Sequence, residues 1–431
     1  MLLGVAACVT ACTGYFGGST ANSAQESTEV VRNIQVGPRP YHLVDAMSPG
    51  PLKTALEQCS EKPLKKSDFS IGHRGAALQF PEHTKESYRA GARMGGILEC
   101  DVTFTKDAEL VCRHAQCDLH TTTNILETDL ASKCGVPFTP AVFDPVTGER
   151  TQAATARCCT TDLTLAEFKT LKGKMDAFDA NATTVEEFLG GTPSFRTDLY
   201  APGGTLLTHK ESIALFKSLN TKFTPELKGV DLVGGVPVVE NDGFGDSGLN
   251  QQTYARKMIQ EYIDAGIDPR DVFPQSFNLN DVLQWVKEFP TYGQQAVLLD
   301  DIPSANFKTT PTLAQLQDLK KAGVNILAPA MPALLTTNAA NEVVPSTYAE
   351  RAKQAGLKLI SWTTERSGRI VEDVLNVPTN QFYYRSTLPA LTNDGDILRN
   401  IHILAQDVGI IGLFSDWPGT VTYYANCMGL K

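Results

Sequence analysis

Short apolar runs alternate with helix-like stretches along most of this chain, and this alternation restricts the possible folds more than any other feature. Eight runs are rich in β-branched and apolar residues, at 69–73, 97–104, 222–227, 272–277, 296–299, 325–328, 358–362 and 410–414. Amphipathic stretches lie between them, including 85–94, 251–265, 280–288, 312–322 and 347–355. Eight strands separated by helices predict an α/β fold, a closed (β/α)8 TIM barrel rather than an open doubly wound sheet. The first run carries no GxGxxG turn, which argues against dinucleotide binding.

One interval between these strands is much longer than the others. It separates the second run from the third and contains a possible extra strand at 109–115, five of the ten cysteines and a helix-like stretch at 165–171. Loops that follow barrel strands lie over the catalytic face, so we expect a cysteine-rich insertion there, at about 115–210. We place the barrel at 69–420, an N-terminal extension at 25–68 and a C-terminal tail at 421–431.

The amino terminus and the cysteines both indicate export. Residues 2–11 form an apolar run that is shorter than the ~20 residues of a membrane span but suits a signal sequence. We therefore expect a signal peptide, or a lipoprotein signal with a tether, at 1–24. The sequence around Cys12 resembles a bacterial lipobox, which would make Cys12 a lipid anchor; the alternative is a plain signal peptide cleaved between residues 11 and 24. The expected destination is the periplasm, the medium or the cell surface.

The cysteine spacing favours disulfides over zinc. No CxxC pair occurs, and no Cys/His cluster has zinc-finger spacing. If the two cysteines nearest the amino terminus are removed or lipidated, eight remain, an even number. We expect three bonds among them, namely Cys59 with Cys427, Cys134 with Cys158 or Cys159, and Cys112 with Cys117.

The charge balance limits the partners. With 38 basic and 48 acidic residues the net charge is 38 − 48 = −10, which opposes attraction to nucleic acid or anionic lipid. We expect no nucleic-acid partner and membrane contact only through Cys12. A phosphate-bearing substrate would need local positive charge.

Polar residues stand at the ends of the first three predicted strands, where barrel enzymes place their working groups. The first strand ends at His73 and Arg74. On the second, Glu99 and Asp101 share one face because side chains alternate along a strand. Two carboxylates that point into a barrel repel each other unless a cation lies between them.

The third strand completes this group. Glu226 and Lys228 share a face of it, and Glu226 would give a third carboxylate to an oxygen site suited to Ca²⁺ or Mg²⁺. The possible extra strand ends near His114, a second histidine. Two histidines, three carboxylates and two basic side chains fit metal-assisted cleavage of a phosphodiester, with the imidazoles exchanging protons with the attacking and leaving oxygens.

An ordered set of motifs resembles the glycerophosphodiester phosphodiesterase family. The set runs from residue 69 to about residue 420 and comprises His73-Arg74-Gly75, Pro81-Glu82-His83-Thr84, Glu99-Cys100-Asp101-Val102, His114, Glu226-Leu227-Lys228, Gln275-Ser276-Phe277, Ser361-Trp362-Thr363 and Phe414-Ser415-Asp416-Trp417-Pro418. The resemblance implies a (β/α)8 barrel that hydrolyses glycerophosphodiesters to sn-glycerol 3-phosphate and an alcohol. It also implies a divalent cation, and we expect Ca²⁺ rather than Mg²⁺.

The resemblance also implies residue roles. It makes His73 and His114 the catalytic acid/base pair. The remaining roles follow position by position: the metal ligands are Glu99, Asp101 and Glu226, the phosphate contacts are Arg74 and Lys228, and the glycerol and leaving-group side is lined by Phe277 and Trp362.

This chain departs from the family pattern at two positions near the site. The family usually has Asn where His83 stands and Asp where Ala115 follows the second histidine. Whether His83 and His120 belong to the site or to its rim stays open from the sequence.

Two alternative functions remain at this point. One is a phospholipase D-like enzyme that acts on lysophospholipid or sphingomyelin. The other is a non-catalytic surface protein that binds a ligand on the same barrel, displayed through its cysteine-rich insertion.

Overall fold

Eight parallel strands close into a barrel, as the alternation predicts. In chain order they are β1 Ser70–Gly72, β2 Ile97–Phe104, β3 Phe223–Leu227, β4 Gln275–Ser276, β5 Val297–Asp300, β6 Ile326–Pro329, β7 Lys358–Thr364 and β8 Gly412–Ser415. Each strand pairs with the next, and β1 pairs with both β2 and β8, so the sheet has no break. This computed structural model describes residues 31, 33–230, 232–233, 236–237, 241, 243–300 and 310–430. The predicted signal at 1–24, including Cys12, lies outside these residues.

A helix follows each barrel strand and packs on its outside. These eight helices are Lys85–Arg93, His209–Ser218, Gln251–Asp264, Leu279–Glu288, Leu313–Lys321, Thr347–Gln354, Asp396–His402 and Pro418–Cys427. Further helices are Arg39–Ala46, Pro51–Glu57, Leu119–Thr122, Leu165–Phe168, Val185–Leu189, Pro290–Gly293 and Met331–Leu334. Threonine side chains cap several amino ends, as at Thr208, whose hydroxyl accepts the Glu211 N–H while the Glu211 carboxylate accepts the Thr208 N–H. None of the described helices is long and apolar enough to cross a membrane.

The barrel interior is a small apolar cluster below a polar mouth. It is formed by Ile71, Ile97, Val297, Leu299, Ile326, Ala328, Ile360 and Phe414. Ile97 points inward, so the alternation along β2 also turns Glu99 and Asp101 inward. Cys100 has the opposite orientation and is buried in the larger core between sheet and helices. The packed interior thus places the carboxylates at the carboxyl ends of the strands.

The insertion is a separate layer with its own core. It begins with a strand, Leu110–Cys112, that runs antiparallel to β2. Further short strands of the insertion are Val136–Thr139, Val142–Phe143, Arg150–Gln152, Thr155–Arg157, Lys172–Gly173 and Gly204–Thr205. The buried apolar residues of the insertion form a cluster around Phe168 and Phe188 that is distinct from the barrel core.

Two short antiparallel strand pairs lie outside both the barrel sheet and the insertion. They are Leu232–Val233 with Val236–Pro237, and Leu335–Thr337 with Val343–Pro345.

Four disulfides are present among the described residues. Cys59–Cys427 and Cys134–Cys158 agree with the sequence-based pairings. The expected Cys112–Cys117 bond is wrong: Cys112 bonds Cys100, and Cys117 bonds Cys159. The reason is the antiparallel pairing of Leu110–Cys112 with β2, which brings the Cα atoms of Cys100 and Cys112 to 5.3 Å.

The carboxyl terminus belongs to the barrel. The helix Pro418–Cys427 is buried over most of its length and packs against β1 and β8. The boundary expected at residue 420 falls inside this helix, so we assign residues 421–427 to the barrel rather than to a tail.

We expect the Cys59–Cys427 bond to contribute more stability than any bond within the insertion. It joins residues 368 apart in sequence, whereas Cys134 and Cys158 are 24 apart. In the chain-entropy description, the Cys59→Ser/Cys427→Ser variant loses about 6 kcal/mol of unfolding free energy, and the Cys134→Ser/Cys158→Ser variant loses about 3.5 kcal/mol. Urea unfolding without reductant measures both values. Equal losses, or a larger loss for the insertion bond, would contradict this ranking.

Candidate active site

Three carboxylates meet inside the barrel mouth. Asp101 on β2 stands beside Glu226 on β3 in the strand register, and Glu226 stands beside Gln275 on β4. Each of Glu99, Asp101 and Glu226 offers an oxygen, and these oxygens lie within 4.8 Å of one another. All three residues are buried. The sequence-predicted ligand set is therefore brought together at one point.

The donor set fits a hard divalent cation. The Oδ1 atom of Asp101 is buried and has no hydrogen-bond partner, so one carboxylate oxygen is free for a ligand. Both Glu99 oxygens are engaged: Oε1 accepts a hydrogen bond from Gln275 Nε2 (2.9 Å), and Oε2 accepts one from the Arg74 N–H (2.8 Å). An all-oxygen set of this kind is the one that Ca²⁺ and Mg²⁺ prefer.

Two of the three carboxyl groups have raised pKa values, which indicates that positive charge is needed to keep all three ionised. Burial, followed by the charges of Asp101 and Glu226, raises the pKa of Glu99 well above its ordinary value. Burial also raises the pKa of Glu226 to about 7, although the ammonium of Lys228 opposes this rise. Without a cation, like charges this close favour protonation of at least one carboxyl.

His83 is part of this centre and not a rim residue. Its imidazole is fully buried, with Nε2 2.9 Å from Asp101 Oδ2 and Nδ1 2.9 Å from the Tyr88 hydroxyl. The contact orients the Asp101 carboxylate and leaves Oδ1 unengaged. His120 lies in the insertion, where its Nδ1 accepts the Cys158 N–H.

His73 is held in place by the carboxylate of Asp416, a residue for which the sequence predicted no individual role. The Nδ1 atom of His73 lies 2.5 Å from Asp416 Oδ1, at the end of β8. Burial, followed by the charge of Arg74, lowers the pKa of His73 to about 4, against the opposing effect of Asp416. Because Nδ1 is engaged, Nε2 is the ring atom left for chemistry.

His114 lies near the same charges. It directly follows Arg113, whose N–H donates to the Asp101 carbonyl and so ties this segment to β2. Burial, followed by the charges of Arg74 and Lys228, lowers the pKa of His114 well below its ordinary value. The turn after His114 is held by Asp118, whose Oδ2 accepts the Ala115 N–H at 3.1 Å.

The two basic side chains predicted to contact phosphate are both paired with carboxylates. Arg74 Nη1 donates to Glu82 Oε2 at 2.9 Å, and its Nε lies 3.7 Å from Asp101 Oδ2. Lys228 Nζ donates to Glu226 Oε1 at 2.5 Å. Each therefore stands beside the carboxylate triad and is held there by a carboxylate.

Aromatic side chains form one wall of the mouth. The rings of Phe277 and Trp362 meet edge to face with centroids 5.9 Å apart. Phe277 is 43% exposed, and the ammonium of Lys228 lies 6.0 Å from its ring centroid. Tyr383 packs edge-on to Trp362 with centroids 6.1 Å apart. Tyr383 comes from the segment after β7, which carried no recognisable motif.

Several residues of the centre were not assigned individual roles from sequence. They are Glu82, His83, Gln275, Arg366 and Asp416. Four of them stand within motifs of the family resemblance, which was the available signal. Arg366 follows β7 without a motif, and only the fold brings it to His73.

Comparisons of the sequence with known proteins identify relatives of this chain. The sequence model of the "Glycerophosphoryl diester phosphodiesterase family" matches residues 73–420. A protein of Arthroderma benhamiae named "Extracellular protein" is 45% identical over 260 residues, which are 59% of this chain and 100% of that protein. A Mycobacterium tuberculosis protein named "Probable glycerophosphodiester phosphodiesterase 1" is 45% identical over 47 residues, 11% of this chain and 17% of that protein.

The fold has a counterpart among solved structures. A "Putative glycerophosphoryl diester phosphodiesterase" from Silicibacter pomeroyi aligns with a TM-score of 0.51 and 17% identity, over 88% of this chain and 99% of that one. This likeness shows the barrel fold.

Proposed function

The chain belongs to the glycerophosphoryl diester phosphodiesterase family, and from this premise we propose that it hydrolyses glycerophosphodiesters to sn-glycerol 3-phosphate and an alcohol by two-histidine, cation-dependent catalysis. The observation that carries the proposal is the buried Glu99–Asp101–Glu226 triad, with a free Asp101 oxygen, in the same barrel mouth as two histidines. A protein that only binds a ligand has no need to keep both histidines beside this triad.

Glu99, Asp101 and Glu226 would hold a divalent cation, and we propose Ca²⁺ in preference to Mg²⁺. Bound there, the cation would supply charge that offsets negative charge developing on the phosphate. Arg74 and Lys228 would add positive charge on the protein side and orient the phosphate. The local charge is needed because the chain as a whole carries −10.

His73 and His114 would carry the protons. One imidazole takes a proton from the attacking oxygen as the new P–O bond forms, and the other gives a proton to the leaving alkoxide as the old P–O bond breaks. Asp416 keeps the His73 ring in place through its Nδ1. Phe277 and Trp362 would line the glycerol and leaving-group side.

We also propose that the protein is exported. Four disulfides among the described residues suit an oxidising compartment. A relative at 45% identity is named as an extracellular protein. Lipidation of Cys12 remains a prediction from sequence alone.

Cation affinity should rise with pH. The pKa of Glu226 is about 7 and that of Glu99 is raised, so part of the cation-free protein carries protons on this triad near neutrality. A cation needs the ionised carboxylates and must displace those protons. We expect Ca²⁺ to bind more tightly at pH 8 than at pH 6, with proton release detected by calorimetry in buffers of different ionisation enthalpy. Affinity independent of pH over this range would contradict the assignment.

The substrate class can be tested with a panel. The oxidised full chain is incubated with glycerophosphocholine, glycerophosphoethanolamine, lysophosphatidylcholine and sphingomyelin, each with CaCl₂ or MgCl₂. We expect sn-glycerol 3-phosphate from the first two compounds. Turnover of only the last two would favour the phospholipase D-like alternative, and no turnover of any would favour a binding protein.

A further inference from the structure

A balanced group of six charges lies between the insertion and the catalytic histidine. Its guanidinium groups belong to Arg74, Arg196 and Arg366, and its carboxylates to Glu82, Asp176 and Asp416. Arg74, Arg196, Glu82 and Asp416 are buried, and Arg366 and Asp176 are partly buried, with 16% and 25% of their side chains exposed. The three positive and three negative charges offset one another within this group, and Arg74 also lies 3.7 Å from Asp101 of the carboxylate triad. Pairing of this kind is the condition under which buried ions are tolerated.

Asp176 is the member that the insertion contributes to the centre of this group. Its Oδ2 atom lies 2.7 Å from Arg366 Nη2 and 3.4 Å from Arg196 Nη1. One carboxylate thus stands between two guanidinium groups that repel each other. The shortest ion-pair contact of Arg366 is with Asp176, and its contacts with Asp416 and Glu82 are each 3.4 Å.

The backbone around Asp176 is held on both sides. Lys174 donates through its ammonium to the carbonyls of Thr121 and Ala177, and its N–H donates to Thr122. Farther along, Arg196 donates to the Ala77 carbonyl in the loop after β1, at 3.1 Å from Nη2. The insertion therefore reaches the catalytic loops with a fixed geometry.

The contacts continue from Arg366 to the catalytic histidine. Arg366 Nη1 lies 3.4 Å from Asp416 Oδ2, and the other oxygen of Asp416 lies 2.5 Å from His73 Nδ1. Although burial acts to raise it, the charges of Arg366 and His73 lower the pKa of Asp416 to about 2. Asp416 is thus an ionised acceptor shared between a guanidinium and the imidazole.

We propose that Asp176 is a positioning residue for His73, acting through Arg366 and Asp416, so that the cysteine-rich insertion completes the catalytic centre. The proposal rests on the phosphodiesterase function proposed above. Without the Asp176 charge, Arg366 keeps Glu82 and Asp416 as its carboxylate partners among the described residues, and the repulsion between Arg366 and Arg196 is no longer offset. This repulsion displaces the Arg366 guanidinium from its position against Asp416, and the Asp416 carboxylate then holds the His73 ring less firmly.

The first test compares two neutralising substitutions in the insertion. Asp176→Asn removes the central carboxylate, and Asp198→Asn removes an exposed one that makes no ion pair among the described residues. We expect Asp176→Asn to lower kcat for glycerophosphocholine by about 10-fold with KM unchanged, the size typical of outer-shell partners. Asp198→Asn should keep wild-type kcat. Equal kcat for Asp176→Asn and wild type would overturn the proposal.

A double-mutant cycle tests the route. If Asp176 acts through Arg366, the Asp176→Asn/Arg366→Gln variant should lose little more kcat than Arg366→Gln alone. If the fold-loss of kcat in the double variant equals the product of the two single-variant losses, Asp176 acts independently of Arg366, which contradicts the proposal. If Asp176→Asn fails to fold, the Asp176→Glu variant is used instead, because it keeps the negative charge. Retained kcat in Asp176→Glu would support the proposal, and a loss of kcat by about 10-fold would oppose it.

A spectroscopic measurement distinguishes failure of the positioning role from failure of the proposed phosphodiesterase function. The ¹⁵N resonance of His73 Nδ1, assigned by its loss in His73→Asn, reports the Asp416 contact without any turnover. We expect it to shift in Asp176→Asn and to stay in place in Asp198→Asn. An unchanged resonance would refute the positioning role even in an active enzyme, whereas a shifted resonance in a protein without turnover would refute only the phosphodiesterase assignment.

Discussion

Replacing His114 with alanine should lower kcat for glycerophosphocholine by about 10³-fold, within the range that positioned proton transfer contributes. The side chain is half-buried at the end of the segment that pairs with β2 and has no hydrogen bond among the described residues, so its removal leaves the barrel packing intact. Steady-state kinetics with saturating Ca²⁺ measures the loss, and circular dichroism checks the fold.

The matched control for this substitution is His42→Ala. His42 is exposed on the helix Arg39–Ala46, and its side chain makes no hydrogen bond among the described residues. It should keep full activity. A His114→Ala variant that retains more than about a tenth of wild-type kcat would remove His114 from the acid/base pair.

Replacing Asp101 with asparagine should weaken Ca²⁺ binding by more than about 100-fold, the upper end of the loss from replacing an outer-shell partner, because Asp101 is a proposed ligand. Turnover should fall in parallel at limiting Ca²⁺. The substitution keeps the shape of the side chain but removes the charge behind the unpartnered Oδ1 atom. The dissociation constant is measured by calorimetry, and kcat is measured as a function of Ca²⁺ concentration.

Asp281→Asn is the matched control for Asp101→Asn. Asp281 is a buried carboxylate that accepts hydrogen bonds from Gln251 and Ser276, away from the triad. Its replacement should leave Ca²⁺ affinity unchanged. Equal effects of the two substitutions would show that Asp101 acts on stability and not on the cation.

The barrel and the carboxylate triad could be predicted from the sequence because both depend on local, periodic signals. Alternation along β2 is sufficient to put Glu99 and Asp101 on one face, and the strand order then brings Glu226 beside Asp101. The strand bounds differ from the predicted runs by a few residues, most at β4, which is reduced to Gln275–Ser276.

Contacts that depend on tertiary packing could not be predicted from the sequence. Arg366 is 190 residues from Asp176 and 50 from Asp416, and no spacing rule relates side chains so far apart. The Cys100–Cys112 bond was missed for a similar reason: the extra strand was anticipated, but its register against β2 was not. His83 stayed open because a histidine at that position differs from the family pattern.

Cation dependence is tested on the wild-type chain by removing and then restoring Ca²⁺ in an assay with glycerophosphocholine. We expect release of sn-glycerol 3-phosphate in CaCl₂, loss of turnover in excess EDTA and recovery when Ca²⁺ is restored. Full turnover in excess EDTA would contradict the cation-dependent mechanism assigned to Glu99, Asp101 and Glu226.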